Sequence, residues 1–214
     1  MTTTDLYEAA RQAVLPGFLT RIEVVEQVSE LYELDVNDRR ASEVVAAVWD
    51  ARRAEETTWT GESDYDRLAA AFADLDSQGI VARMNFTCCN TCGTTEIDDE
   101  RTPVEAPPGG YPFREWAYTF FHQQDAERLS EDRATLYLTY SAFRPALDAD
   151  PQLLQQAQGG DEQARTQVTR QTDTLVGQQV AETLRRRGLD VRWSGDPEQR
   201  ISVSMGSWRR PLPR

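Results

Sequence analysis

Apolar positions recur along the chain with two different periods, and the change between them falls at Gly79. Before it, spacings of three and four residues dominate, which lay apolar side chains on one face of a helix. Leu6, Ala9, Ala10 and Ala13 mark a first short helix that Pro16-Gly17 separates from the next. Thr20 followed by Glu23 forms a capping box ahead of Ile22, Val25, Val28 and Tyr32, the stripe expected to face inward on a second helix. A third is expected to start at Asn37 or Asp38 and to bury Ala41, Val44, Val45, Val48 and Trp49. Ser63 caps a fourth with Leu68, Phe72 and Leu75 inward, and Gly79 is its expected C-terminal stop.

After Gly79 the pattern turns to alternation. Ile80 to Phe86 reads as a strand, with Ile80, Ala82, Met84 and Phe86 sharing one sheet face or Val81 sharing the other. Trp116 to Phe121 and Leu136 to Tyr140 read as two more, with a short helix from about Gln124 to Leu129 between them. Pro103 to Pro112 is rich in proline and glycine and reads as a surface loop, and the glutamine-rich stretch from Gln152 to Gln158 leans toward low complexity. Asp161 to Arg187 has the length of a long helix, with Val168, Leu175 or Val176, Val180 and Leu184 inward and Gly188 ending it. Two short strands, Asp190 to Trp193 and Arg200 to Ser204, follow around a Gly195-Asp196 turn. The expected fold class is α+β: a helical N-terminal section, residues 1–79, packed on a mixed β-sheet with crossover helices in residues 80–214, which also carry the cysteine cluster.

Charge narrows the classes of function. With 36 acids against 23 bases the formal net charge is −13, which opposes nonspecific binding to nucleic acid or an anionic membrane. The distribution is uneven: from Arg185 onward the chain is +5, so the preceding part is −18. An acidic surface of this kind suits docking of a basic protein partner, because complementary fields speed association and select partners. Every base is arginine, so no lysine is present to form a Schiff base. Trp208-Arg209-Arg210-Pro211 reads as a tail that Trp208 anchors while its arginines pair with surplus acids, and a self-complementary tail suits an oligomer.

The opening residues Met1 to Leu6 lack a basic flank and an apolar core, and no apolar run reaches the roughly 18 residues that span a bilayer. The three cysteines are an odd number crowded into five positions, unlike the dispersed even set of disulfide-stapled secreted domains. Reduced thiols in a cytoplasmic protein are the expectation.

Those thiols are the chain's one chemically distinctive spot. Phe86-Thr87-Cys88-Cys89-Asn90-Thr91-Cys92-Gly93 follows an expected strand, and the sole histidine, His122, closes the next one. Cys89 and Cys92 have the spacing by which a turn offers two thiolates to one metal, zinc above all, and His122 could add a nitrogen. Cys88, Asp125 or Glu96 would complete four ligands, or a water would occupy an open position as in catalytic sites, although adjacent Cys88 and Cys89 are expected to point apart. Against ligation stands ordinary packing, since free cysteine often fills space beside a sheet. Against a reactive thiolate stand Glu96, Asp98, Asp99, Glu100 and Glu105, whose charges would raise thiol pKa values. Gly93 and those acids also make a thioredoxin-like helix after Cys89 doubtful. Asp125 could orient His122 for a Cys-His hydrolase, or simply cap the short helix that follows. The zinc deaminase pattern is ruled out, because here the cysteines precede the histidine and Gln124 stands where its glutamate would be.

Phe-Thr-Cys-Cys-Asn-Thr-Cys-Gly, then Phe121-His122-Gln123-Gln124-Asp125 and Leu136-Tyr137-Leu138-Thr139-Tyr140, resemble a family of uncharacterised bacterial proteins common in actinobacteria, known as a domain of unknown function. The resemblance covers roughly Ile80 to Arg210, leaves the N-terminal helices outside, and implies no activity. Three readings follow from the residues: a non-enzymatic binding or regulatory protein that neutralises a basic partner, a zinc-dependent enzyme using Cys89, Cys92 and His122, and a thiol redox protein.

Overall fold

The computed structural model describes residues 2–35 and 38–214. The chain divides into two compact units. One comprises Met1–Asp66, Gln124–Leu136 and Met205–Arg214; the other comprises Arg67–Gln123 and Tyr137–Ser204.

In the first unit α1 (Thr3–Val14) and α2 (Arg21–Leu31) both begin with complete capping boxes, Thr2 with Asp5 and Thr20 with Glu23. α3 (Arg39–Glu56) starts after Asp38, whose carboxylate accepts from the Arg40 amide; the alternative start at Asn37 lies outside the described residues. The three helices enclose Leu6, Ala10, Val14, Val24, Val28, Ala41, Val45 and Val48. The stripe expected on α2 is corrected: Val24 and Val28 are buried and Ile22 is 72% exposed. Position 24 lies four residues before Val28, one full turn away, whereas Ile22 falls on the opposite flank of the same helix.

The C-terminal segment completes this core. Trp208 is buried, its Nε1 donates to the Pro16 carbonyl at 3.0 Å, and its ring meets Tyr65 edge-on at 5.4 Å. The tail arginines do not pair with carboxylates as expected: Arg209 donates to the carbonyls of Thr60 and Glu62, and Arg210 to that of Gly17. A guanidinium fork satisfies carbonyls left over where chain segments end without a ladder partner.

α4 (Asp64–Ser77) is capped by Ser63 and Asp66 and ends at Gly79, whose φ of +78° suits a residue without a Cβ. β1 (Ile80–Arg83) follows at once. Its Ile80, Val81 and Ala82 are all buried, so both faces are covered and the expected one-sided alternation is absent. The strand also stops earlier than Phe86, because Asn85 and Thr87 take positive φ values of 51° and 56° that no extended strand allows. α5 (Asn90–Glu96) and a 3-10 turn (Ile97–Glu100) come next, then the loop and β2 (Ala117–Phe120). α6 (Gln123–Ala126) and a further 3-10 turn lead into β3 (Ala134–Ala142), which alternates buried and half-buried as a one-sided strand should.

α7 (Pro151–Gln158) occupies the glutamine-rich stretch, with Asp150 as cap and proline in the first turn. α8 (Glu162–Arg186) buries Val168, Val176, Val180 and Leu184 and leaves Leu175 partly exposed. β4 (Asp190–Arg192) and β5 (Ile201–Met205) pair antiparallel across a loop containing Gly195. The sheet order is β1-β2-β3-β5-β4, with β1 parallel to β2 and β2 antiparallel to β3. The fold is therefore α+β around a mixed five-stranded sheet, as expected. The parallel step from β1 to β2 requires a long crossover, and that crossover carries the cysteines.

Candidate metal centre

The cysteine segment is set by what flanks it. Arg83, the last residue of β1, is clamped by Glu100 at 2.7 Å and Asp76 at 3.2 Å. Beyond it the Phe86 amide donates to the Phe121 carbonyl, and the Gln123 amide donates to the Thr87 carbonyl, so the turn is stitched to the end of β2. Thr87 in the left-handed region then redirects the chain, and Cys89, extended at φ −150° and ψ 171°, stands at the N-cap of α5. The helix is seated by Gly93, which packs on the Phe120 ring, and by Asn90, whose side chain accepts from the Thr139 hydroxyl.

This path gathers all three thiols. The Cys88 and Cys92 sulfurs are 3.4 Å apart, and the sulfurs of Cys88, Cys89 and Cys92 all lie within 4.8 Å of one another. The expectation that Cys88 and Cys89 point apart is corrected, because the left-handed residue before them and the helix turn after them fold the segment back on itself. Among the described residues this is the one group of three cysteine, histidine or acidic side chains so gathered. Cys88 is exposed, and Cys89 and Cys92 are half-buried; all three are free thiols.

His122 and Asp125 do not join that group. Both are buried, at 6% and 4% exposure, and both interact with neighbouring groups. Their burial contrasts with the thiols, of which Cys88 is exposed and Cys89 and Cys92 are half-buried.

The electrostatics also differ from expectation. The Cys92 backbone, with the Cys92 and Cys88 thiols and the Thr91 backbone, holds the Cys89 thiol below its ordinary value. Cys92 itself is pushed up to about 12, first by hydrogen bonding to Cys88 and Cys89 and then by their charge. Of the acids expected to raise the thiols, Glu96 lies at the far end of α5, Asp98, Asp99 and Glu100 on the turn after it, and Glu105 in the loop beyond. Glu100 is neutralised by Arg83 and Asp98 pairs with Arg101 at 3.4 Å. No long thioredoxin-like helix follows Cys89, since α5 has seven residues, but Gly93 is not a flexible break. It is a contact residue whose missing side chain lets α5 touch Phe120.

An α+β protein with a three-thiol cluster at the surface of a β-crossover is the class that fold and site define. The chain matches, over residues 2–212, the family described as Domain of unknown function (DUF6891), and it belongs to that family. The family likeness therefore takes in the N-terminal helices as well as the part from Ile80 onward. No curated protein and no solved structure matches the chain. No helix among the described residues is long and apolar enough to cross a membrane.

Proposed function

We propose that this is a metal-binding protein in which Cys88, Cys89 and Cys92 hold one soft divalent ion, zinc being the best fit, as three thiolates. The observation that carries the reading is the separation of the sulfurs. An ion with metal–sulfur bonds of about 2.3 Å at tetrahedral angles holds its thiolates roughly 3.8 Å apart. All three sulfurs are within 4.8 Å of each other, so small rotations of the thiols meet that requirement. An iron–sulfur cubane spreads its cysteines farther and is a poorer fit.

Three protein ligands leave a fourth position, next to the exposed Cys88, for water or a small ligand. That is the pattern of an open site, at which a bound ion can act as a Lewis acid or be handed on, rather than of a closed structural knot. Binding must displace the Cys92 proton, so affinity should rise with pH. Elemental analysis of protein purified without chelator, followed by cobalt titration read through its thiolate charge-transfer absorption, tests the reading. One equivalent with all three thiols engaged supports it. Metal well below one equivalent and no cobalt band would remove it.

The acidic balance supports a second reading, docking of a basic protein partner. Besides the net charge of −13, a cleft of about 590 Å³ in the first unit is lined by Glu8, Glu127, Glu131 and Asp132 against Arg11 and Arg128. Burial already pushes the Glu127 carboxyl above its ordinary value, so an incoming cation would lower it again. Binding to a basic partner that does not weaken between low and high salt would contradict this reading.

A further inference from the structure

α8 presents a second set of polar groups, far in sequence from the cysteines and independent of them. Thr172 is buried and its hydroxyl accepts from the Ala146 amide at 3.3 Å. The neighbouring Asp173 is half-buried against the end of β3. There its Oδ1 accepts from the Ser141 hydroxyl at 2.7 Å and from the Ala142 amide at 3.2 Å. Both donors take the same oxygen, so the carboxylate is fixed in orientation while Oδ2 accepts no hydrogen bond among the described residues. Burial pushes this carboxyl above its ordinary value, as expected for an anion without a countercharge.

Asp173 and Thr169 line two adjoining hollows of the second unit. The smaller, about 190 Å³, also takes in Phe143, Arg144 and Pro145; the larger, about 300 Å³, takes in Thr166, Arg170 and Pro197. Their charged residues fall into two sorts. Arg170 is committed to Glu198 at 2.7 Å and Asp196 at 3.1 Å, and Arg165 to Glu162 at 3.0 Å. Among the described residues Arg144 makes no ion pair: one of its terminal nitrogens donates to the Pro145 carbonyl, its Cζ lies 5.2 Å from the centre of the Tyr111 ring, and its Nε is buried without a partner there. The hollow thus holds one uncompensated cation and one uncompensated anion that are not paired with each other. A folded chain normally closes such a pair or leaves both ends to water.

We infer that this hollow is a binding site for a small zwitterion of the α-amino acid class. The ligand's ammonium group would donate to Asp173 Oδ2, and its carboxylate would accept from Arg144. A ligand with both charges compensates both residues at once, which neither a simple amine nor a simple acid can do. Its substituent would lie past Thr169 in the larger hollow. There the arginines are already neutralised, which favours an uncharged side chain.

Calorimetric titration of the full chain with L-alanine, L-valine and L-threonine as probes tests this, with ethylamine and propionate as analogues carrying one charge each. Saturable one-to-one binding of at least one amino acid is expected, with both analogues roughly thirtyfold weaker or worse, the loss typical of removing one partner of a charge pair. Asp173→Asn keeps the shape and the Oδ1 acceptor, and Arg144→Gln keeps a donor without the charge. Each should abolish the binding while circular dichroism and cobalt uptake at the cysteines stay unchanged. If Asp173→Asn fails to fold, Arg144→Gln decides alone. Absence of saturable binding by all three amino acids would overturn the inference. So would analogues that bind as well as the amino acids, or a folded variant that binds like the wild type.

Discussion

Gly93 lies directly against the ring of Phe120: a Cβ at this position would sit 2.5 Å from Cε2 and 2.6 Å from Cζ. Phe120 is fully buried at the end of β2, within the cluster of Val81 and Ile97, and cannot retreat. The helix that completes the thiol cluster is therefore seated through a glycine, and its position depends on the absence of one methyl group.

Gly93→Ala should accordingly destabilise the protein by about 1–3 kcal/mol, the usual cost of forcing extra volume into a packed site. Urea denaturation measures that loss. Because the shift displaces α5, cobalt uptake should fall more than stability alone explains. An alanine variant with wild-type stability and wild-type cobalt binding would show that α5 is not held by this contact.

The three thiols should react at different rates. Cys89 is held below its ordinary pKa, first by the Cys92 amide, and is more thiolate-like than Cys92, which is pushed up to about 12. In metal-free protein at about pH 8, iodoacetamide should modify Cys89 well before Cys92, since the thiolate is the reacting form. Peptide mass spectrometry over a time course reads the order, and bound zinc should protect all three.

Tyr140 links β3 to the β4–β5 loop: Trp193 Nε1 donates to its hydroxyl at 2.8 Å, and the hydroxyl donates to the Gln199 carbonyl at 3.0 Å. Burial, opposed by the Trp193 hydrogen bond and reinforced by Asp173 and Asp196, pushes the phenol from 10.0 up to about 12. The folded state thus keeps the proton longer than the unfolded chain. Its contribution is complete below pH 10 and is lost as the pH rises from there through about 12. Tyr140→Phe should reduce the slope of that stretch of the stability profile, leaving the contributions of Tyr118 and Cys92, which are also raised. At neutral pH it should cost about 1–2 kcal/mol for the unpaired groups left behind.

Trp208→Ala should cost about 3–5 kcal/mol, the range for removing a buried tryptophan. The substitution removes the contacts with Phe18 and Tyr65 and strands the Pro16 carbonyl. Loss of near-ultraviolet dichroism, with melting of α1 to α3 at a lower temperature, would report it. A variant that melts like the wild type would mean the C-terminal segment is dispensable to the first unit.

Local signals made much of the secondary structure legible. Capping boxes at Thr20 and Ser63, the stop at Gly79 and the long period of α8 each depend on residues within a turn or two, so sequence spacing alone reports them. The α7 helix escaped because its apolar stripe is short, Leu153, Leu154 and Ala157 among glutamines, and only half-buried; the Asp150 cap with Pro151 was its one further readable mark. β1 defied alternation because it is covered on both faces, a fact about its neighbours rather than about itself.

The sequence by itself determined that three thiols fall within five residues at the end of a strand, and that His122 follows the next strand. Tertiary structure decided which of them meet. Left-handed turns at Asn85 and Thr87, the Gly93–Phe120 contact and the link from Asn90 to Thr139 bring Cys88, Cys89 and Cys92 together and leave His122 and Asp125 inside. The same holds for Asp173 and Arg144, ordinary charges in the sequence that come to line one hollow only where β3 packs on α8. Spacing along a chain fixes what lies within a turn. Convergence of groups 30 residues apart depends on packing partners that no local pattern names.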